Sequence, residues 1–91
     1  MAIFRNIIGP NIRKIRKEKK WTQAKLAMKC QMHGWSVIRD TIGKIESQVR
    51  CVTDGEVMFL AKVLECSIGE IYAGTEDANL MYTLRNSDLN D

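Results

Sequence analysis

Arg39, Asp40, Thr41 and Lys44 are four hydrogen-bonding side chains gathered in one short stretch. Ile42 and Ile45 lie among them three residues apart. A helix over this stretch turns the isoleucines inward and leaves the polar residues outside. Gly43 lowers helix propensity and lets the helix approach something closely. A second amphipathic stretch precedes it, Trp21-Thr22-Gln23-Ala24-Lys25-Leu26-Ala27, with a turn near Gly34-Trp35 between the two. Two short helices set at an angle are the minimum device for laying one helix in a DNA major groove while the other lies across the backbone. Residues before Trp21 and after Arg50 read as support for that pair.

Other chemistry is poorly provided for. His33 is the single histidine and is expected at the surface near a helix end. There is no Gly-rich phosphate loop and no carboxylate pair in a plausible cleft, so an enzyme is not expected. Cys30, Cys51 and Cys66 are odd in number and widely spaced. That argues against a disulfide framework or a zinc site and for a reducing cytoplasm, with Cys30 and Cys66 as apolar fillers. No metal or other cofactor is expected, and no small-molecule pocket. No apolar run suggests a signal peptide or a membrane span.

The 91 residues suffice for one small core. The net charge of +3 is unevenly spread. Residues 1–50 carry twelve basic and three acidic side chains, a net +9, and residues 51–91 carry two and eight, a net −6. The basic half suits a polyanion, with an attraction that salt should weaken.

Periodicity and capping signals predict five helices within residues 8–73. Gly9-Pro10 starts the first, because proline's missing N–H has no intrahelical partner there. Ile8, Ile12 and Ile15 face inward, and Arg13, Lys14, Arg16 and Lys17 are assigned to the outer face. The helix should end near Lys19-Lys20, with mild strain if Lys20 takes a positive φ. Thr22 is the expected N-cap of the second helix, which continues through Leu26, Ala27 and Cys30 towards His33 until Gly34 breaks it. Trp35 and Val37 should anchor the turn, and Ser36 offers a cap one step before the third helix. Thr53-Asp54-Gly55-Glu56 and Ser67-Ile68-Gly69-Glu70 are capping boxes for the last two. The domain is expected to span residues 1–73. An acidic tail, 74–91, follows, with an apolar knot of Leu80, Met81, Tyr82 and Leu84.

In order and spacing, residues 8–73 resemble the lambda-repressor/Cro (XRE) helix-turn-helix family. The likeness rests on Ile12-Arg13-Lys14-Ile15-Arg16-Lys17-Glu18-Lys19, Thr22-Gln23 with Leu26-Ala27, and Thr41-Ile42-Gly43-Lys44-Ile45-Glu46. It continues through Leu60-Ala61-Lys62-Val63-Leu64 and Ser67-Ile68-Gly69-Glu70-Ile71. The resemblance implies an all-α, compact five-helix domain that binds double-stranded DNA as a homodimer. It also implies a transcriptional regulator, a repressor by preference, of bacterial, phage or mobile-element origin. Three positions depart from the family pattern: Lys20 and Gln48 stand where glycine is usual, and Ile38 where a serine or threonine cap is. The segment between Ala27 and Thr41 is about five residues longer than the common form, which could lengthen the second helix by a turn.

Carried over residue by residue, the resemblance implies that Gln23 bonds a phosphate, aided by the positive end of its helix. Arg39, Asp40, Thr41 and Lys44 map onto the base-reading face. Arginine and lysine donate to guanine O6 and N7, and a threonine methyl touches thymine. Asp40 either accepts from cytosine N4 or orients Arg39. Ser47 and Arg50 fall on the loop that meets backbone phosphate, with Arg5, Arg13 and Lys14 as weaker candidates. Glu46 matches a structural position. Lys14, Lys17 and Lys29 read as solvated and Trp35 as core; Phe59 and Met58 suit ordinary packing or, by preference, a dimer or tail contact. The competing reading is a protein-interaction or antitoxin-like module that keeps the fold without reading DNA. The basic first half counts against it; the acidic tail and Phe59 leave it room.

Overall fold

The computed structural model describes residues 4–77. All regular structure among them is helical: α1 Gly9–Glu18, α2 Gln23–Met32, α3 Arg39–Glu46, α4 Asp54–Leu64, α5 Ile68–Ile71, and a closing 3-10 turn Thr75–Asp77. The apolar knot expected at Leu80, Met81, Tyr82 and Leu84 lies outside the described residues.

The helices start where local chemistry dictates. Thr22 Oγ1 accepts from Lys25 N at 3.0 Å. Thr53 and Ser67 each close a full capping box, with Glu56 and Glu70 reaching back to the cap residue. α3 is the exception. Its N-cap position is Ile38, which makes no side-chain bond, and Ser36 does not serve.

Packing follows from which side chains point inward. Ile12 of α1, Leu26 and Cys30 of α2, Ile42 and Ile45 of α3, Leu60 and Leu64 of α4 and Ile71 of α5 are fully buried in one cluster. Each buried leucine or isoleucine contributes about 1.5–3 kcal/mol. Burial also pushes the Cys30 thiol up to about 11, so it stays protonated in its apolar site. α2 packs most extensively on α3, and α1 packs on α3 as well.

α2 runs on through Met32, as the sequence suggests, and the rest of the long segment before α3 is non-helical. The helix stops at Met32, His33 caps it, and Gly34 turns the chain at φ 99°, a conformation that favours glycine. The additional residues form an extended turn that is tied down twice. Val37 is buried, and its carbonyl accepts from Gln31 Nε2 at 2.7 Å. Trp35 packs edge-on against Phe59 at 5.4 Å and 75°. Phe59, expected to face a partner or the tail, is therefore half-buried in packing within this domain. His33 lies at the α2 end, edge-on to the same ring at 6.4 Å.

Three non-glycine residues sit in the left-handed region at helix ends: Lys20 at φ 62°, Gln48 at 67° and Glu65 at 55°. Each stores about 1 kcal/mol of backbone strain. The amines of Lys19 and Lys29 lie 5.3 and 5.4 Å from the Trp21 ring. Lys29 is thus part-covered rather than freely solvated.

Candidate nucleic-acid interface

Among the described residues, α3 presents one uncovered face. Arg39, Asp40, Lys44 and the following Ser47 are exposed and Thr41 is half-exposed, while Ile42 and Ile45 on the opposite side reach no solvent. Arg39 and Asp40 form only a loose pair, 3.8 Å apart with both side chains 69% exposed. Such a pair is worth well under about 1 kcal/mol, so both groups can turn to another partner. Asp40 also sits in the first turn of α3, where a negative charge favours the helix dipole. Ser47 Oγ donates weakly back to Lys44 O at 3.4 Å.

Beneath that face lies a buried polar junction. Arg16, expected on the outer face of α1, turns inward instead. Its side chain is buried, donating from Nε to Glu46 Oε2 at 2.6 Å, from Nη2 to Glu46 Oε1 at 3.0 Å, and from Nη1 to Trp21 O at 2.6 Å. The inward stripe of α1 runs Ile8, Ile12, Arg16 in steps of four, and Ile15 is only half-buried. That stripe was a signal in the sequence for Arg16. Glu46 occupies the structural role expected of it.

Gln23 joins the same junction. Its Nε2 donates to Glu46 Oε1 at 3.1 Å. An amide nitrogen has two hydrogens, so one donor remains beyond this bond. The amide lies against α3 at Gly43, where an added Cβ would meet Gln23 Oε1 at an ordinary 3.5 Å. The close neighbour of Gly43 is thus a side chain of its own domain. Arg13, Arg16, Gln23, Gly43, Glu46 and Ser47 line a notch of about 230 Å³ where α1, α2 and α3 meet.

Arg50 is placed differently from the other candidates. Its Nη1 and Nη2 donate to the two Glu56 carboxylate oxygens, both at 3.1 Å, and Nη1 also donates to Cys51 O at 3.0 Å. The guanidinium therefore braces the capping box of α4. The Arg50 bond is the main reason the Glu56 carboxyl is held below its ordinary value. The structure thus gathers Arg39, Asp40, Thr41, Lys44 and Ser47 on one side of α3, sets Gln23 beside Gly43, and turns the head of Arg50 towards α4.

A helix-turn-helix family model matches residues 12–71. The chain belongs to the lambda-repressor/Cro helix-turn-helix family. No curated protein and no solved structure matches it. The family is one of DNA-binding transcription regulators that act on double-stranded DNA. As a helix-turn-helix protein, this chain departs from the usual pattern at Lys20 and Gln48, and both take the left-handed conformation that a glycine would adopt without strain. None of the helices among the described residues is long and apolar enough to cross a membrane.

Proposed function

We propose that the protein is a sequence-specific transcription regulator, a repressor, that reads the major groove with α3 as a homodimer on a two-fold-related site in a bacterial or phage setting. The observation that carries this reading is the division of α3. Its inner isoleucines are sealed in the core, and Arg39, Asp40, Thr41 and Lys44 stand on a face that no other helix among the described residues covers. Arg39 and Lys44 donate to guanine edges and the Thr41 methyl meets thymine. Asp40 accepts from cytosine or steers Arg39. Gln23, with its remaining amide hydrogen, and Ser47 hold phosphates on either side of the base-reading residues. Arg50 reaches a phosphate only through donors not committed to Glu56. Repression then follows from occupying a promoter.

Selection of binding sites from random duplexes tests the reading directly. A recovered motif made of two related half-sites, one helical turn or a multiple apart, is expected. Recovery of no motif, with binding that tracks salt alone, defeats operator reading and returns the chain to the interaction-module alternative.

A further inference from the structure

We propose that Asn6 is a positioning residue for DNA reading, a single side chain that caps the start of α1 and the end of α3 together and so sets where the reading helix and its following loop sit. The inference rests on the DNA-reading role proposed for α3. Asn6 is buried. Its Oδ1 accepts from Gly9 N at 2.8 Å, and its Nδ2 donates to Ile45 O at 3.1 Å and to Arg50 O at 2.9 Å. Two more bonds close the same seam. Arg5 N donates to Gln48 O at 2.8 Å, and Gln48 Nε2 donates to Asn6 O at 3.0 Å.

The chemistry of helix ends explains why an amide stands there. The first N–H groups of a helix lack acceptors and the last carbonyls lack donors. Asparagine carries one acceptor and two donors on a short stem, so it serves both ends at once. The N-cap position of α1 itself holds Ile8, which makes no side-chain bond. Gly9 lets the two ends close up, since a Cβ there would fall 2.2 Å from Ile45 O and 2.9 Å from Glu46 O. The Asn6 bonds span 39 and 44 residues of sequence and tie both the end of α3 and the far side of its loop to the base of α1.

Base contacts need a fixed register, whereas attraction to phosphates tolerates a looser one. If α3 and its loop were free to shift, the cost of ordering them would fall on the operator complex rather than on non-specific binding. Asn6 removes that cost in advance.

Asn6→Asp and Asn6→Ala in the full chain test this. Asp keeps the acceptor for Gly9, loses both donors and sets a carboxylate against two carbonyl oxygens; Ala loses everything. The first readout uses no DNA. Hydrogen exchange at the Ser47, Gln48 and Val49 amides, which close the end of α3, should quicken relative to the Leu60 and Leu64 amides of α4. Equal quickening in both helices would mean simple destabilisation and would overturn the proposal. The second readout compares a selected operator with a random duplex of equal length, at one salt concentration and at a temperature where circular dichroism shows the variant folded. Operator affinity should fall about tenfold while random-duplex affinity and its salt slope hold. Equal losses on both duplexes, or a preference as large as the wild type's, would overturn it. A wild type without preference defeats DNA reading itself, and the exchange pattern separates that failure from a failure of the clamp. Should Asn6→Ala not fold, Asn6→Asp, which keeps the α1 cap, decides the matter.

Discussion

At its C-terminal end α3 is tied down by Glu46 to Arg16 and Gln23 and by the Ile45 carbonyl to Asn6, whereas at its N-terminal end Ile38 gives no side-chain cap and Arg39 and Asp40 stand in solvent. Each end carries an arginine beside an acid. The buried pair closes to 2.6 Å, and the exposed pair stays at 3.8 Å. The same two chemical groups do different work because their surroundings differ. In the low-dielectric junction the pair cannot be broken without stranding a charge. In solvent it is loose enough to exchange partners. A reading helix needs both conditions, an immovable root and uncommitted tips.

The largest break in that contrast should come from Glu46→Ala. It leaves Arg16 buried without its carboxylate, and the expected loss of stability is about 3–5 kcal/mol, read from urea unfolding. A loss under about 1 kcal/mol would mean that the junction does not root α3. The matching change at the other end is Arg39→Ala. Folding stability should stay within about 0.5 kcal/mol of the wild type, while operator binding loses about 1–3 kcal/mol and base preference relaxes at the contacted position. If Arg39→Ala and Lys44→Ala leave operator binding unchanged, the exposed face of α3 is not the one that reads bases.

The two ends also differ in how far the sequence betrayed them. Local signals were legible: the Thr22 cap, the capping boxes at Thr53 and Ser67, and the Ile42–Ile45 spacing that leaves Arg39, Asp40, Thr41 and Lys44 outside. These need only neighbours within one helical turn. The rooted end was largely invisible because its bonds are non-local. Arg16 meets Glu46 across 30 residues, and Asn6 meets Ile45 across 39. Ile15, three residues after Ile12, draws the inward stripe one residue aside and points Arg16 outward. Arg50 reads as a phosphate contact because nothing in its own loop shows that Glu56, in the capping box of the next helix, faces it. The turn between α2 and α3 was half-legible. Gly34 as breaker and Val37 as anchor were visible, but the Trp35–Phe59 contact that occupies Phe59 was not.

Smaller effects sharpen the comparison through the turns that bound the rooted end. Lys20→Gly should stabilise the fold by about 1 kcal/mol or less, since it removes left-handed strain at an exposed residue. Gln48→Gly should gain less. It relieves similar strain, but it also loses the Gln48 bond to Asn6 O. Thermal unfolding of the two variants side by side reads the difference, and an equal gain would mean that the Gln48 amide contributes nothing to the seam.

The smallest effect expected concerns the brace behind the loop. Arg50 holds the Glu56 carboxyl below its ordinary value, so folding favours the charged form. Stability from the pair is therefore present in full above the unfolded carboxyl's titration and is lost as pH falls through the lower, folded value. Glu56→Gln keeps a capping-box side chain while removing the charge. Both side chains of the pair are partly solvated, which limits the wild-type advantage at neutral pH to about 1 kcal/mol or less. That advantage should shrink below about pH 4.5, as seen in paired urea titrations of wild type and Glu56→Gln from neutral to acid pH. A difference that stayed constant through the acid range would show that the charge on Glu56 is irrelevant to the brace and that Arg50 is free to serve elsewhere.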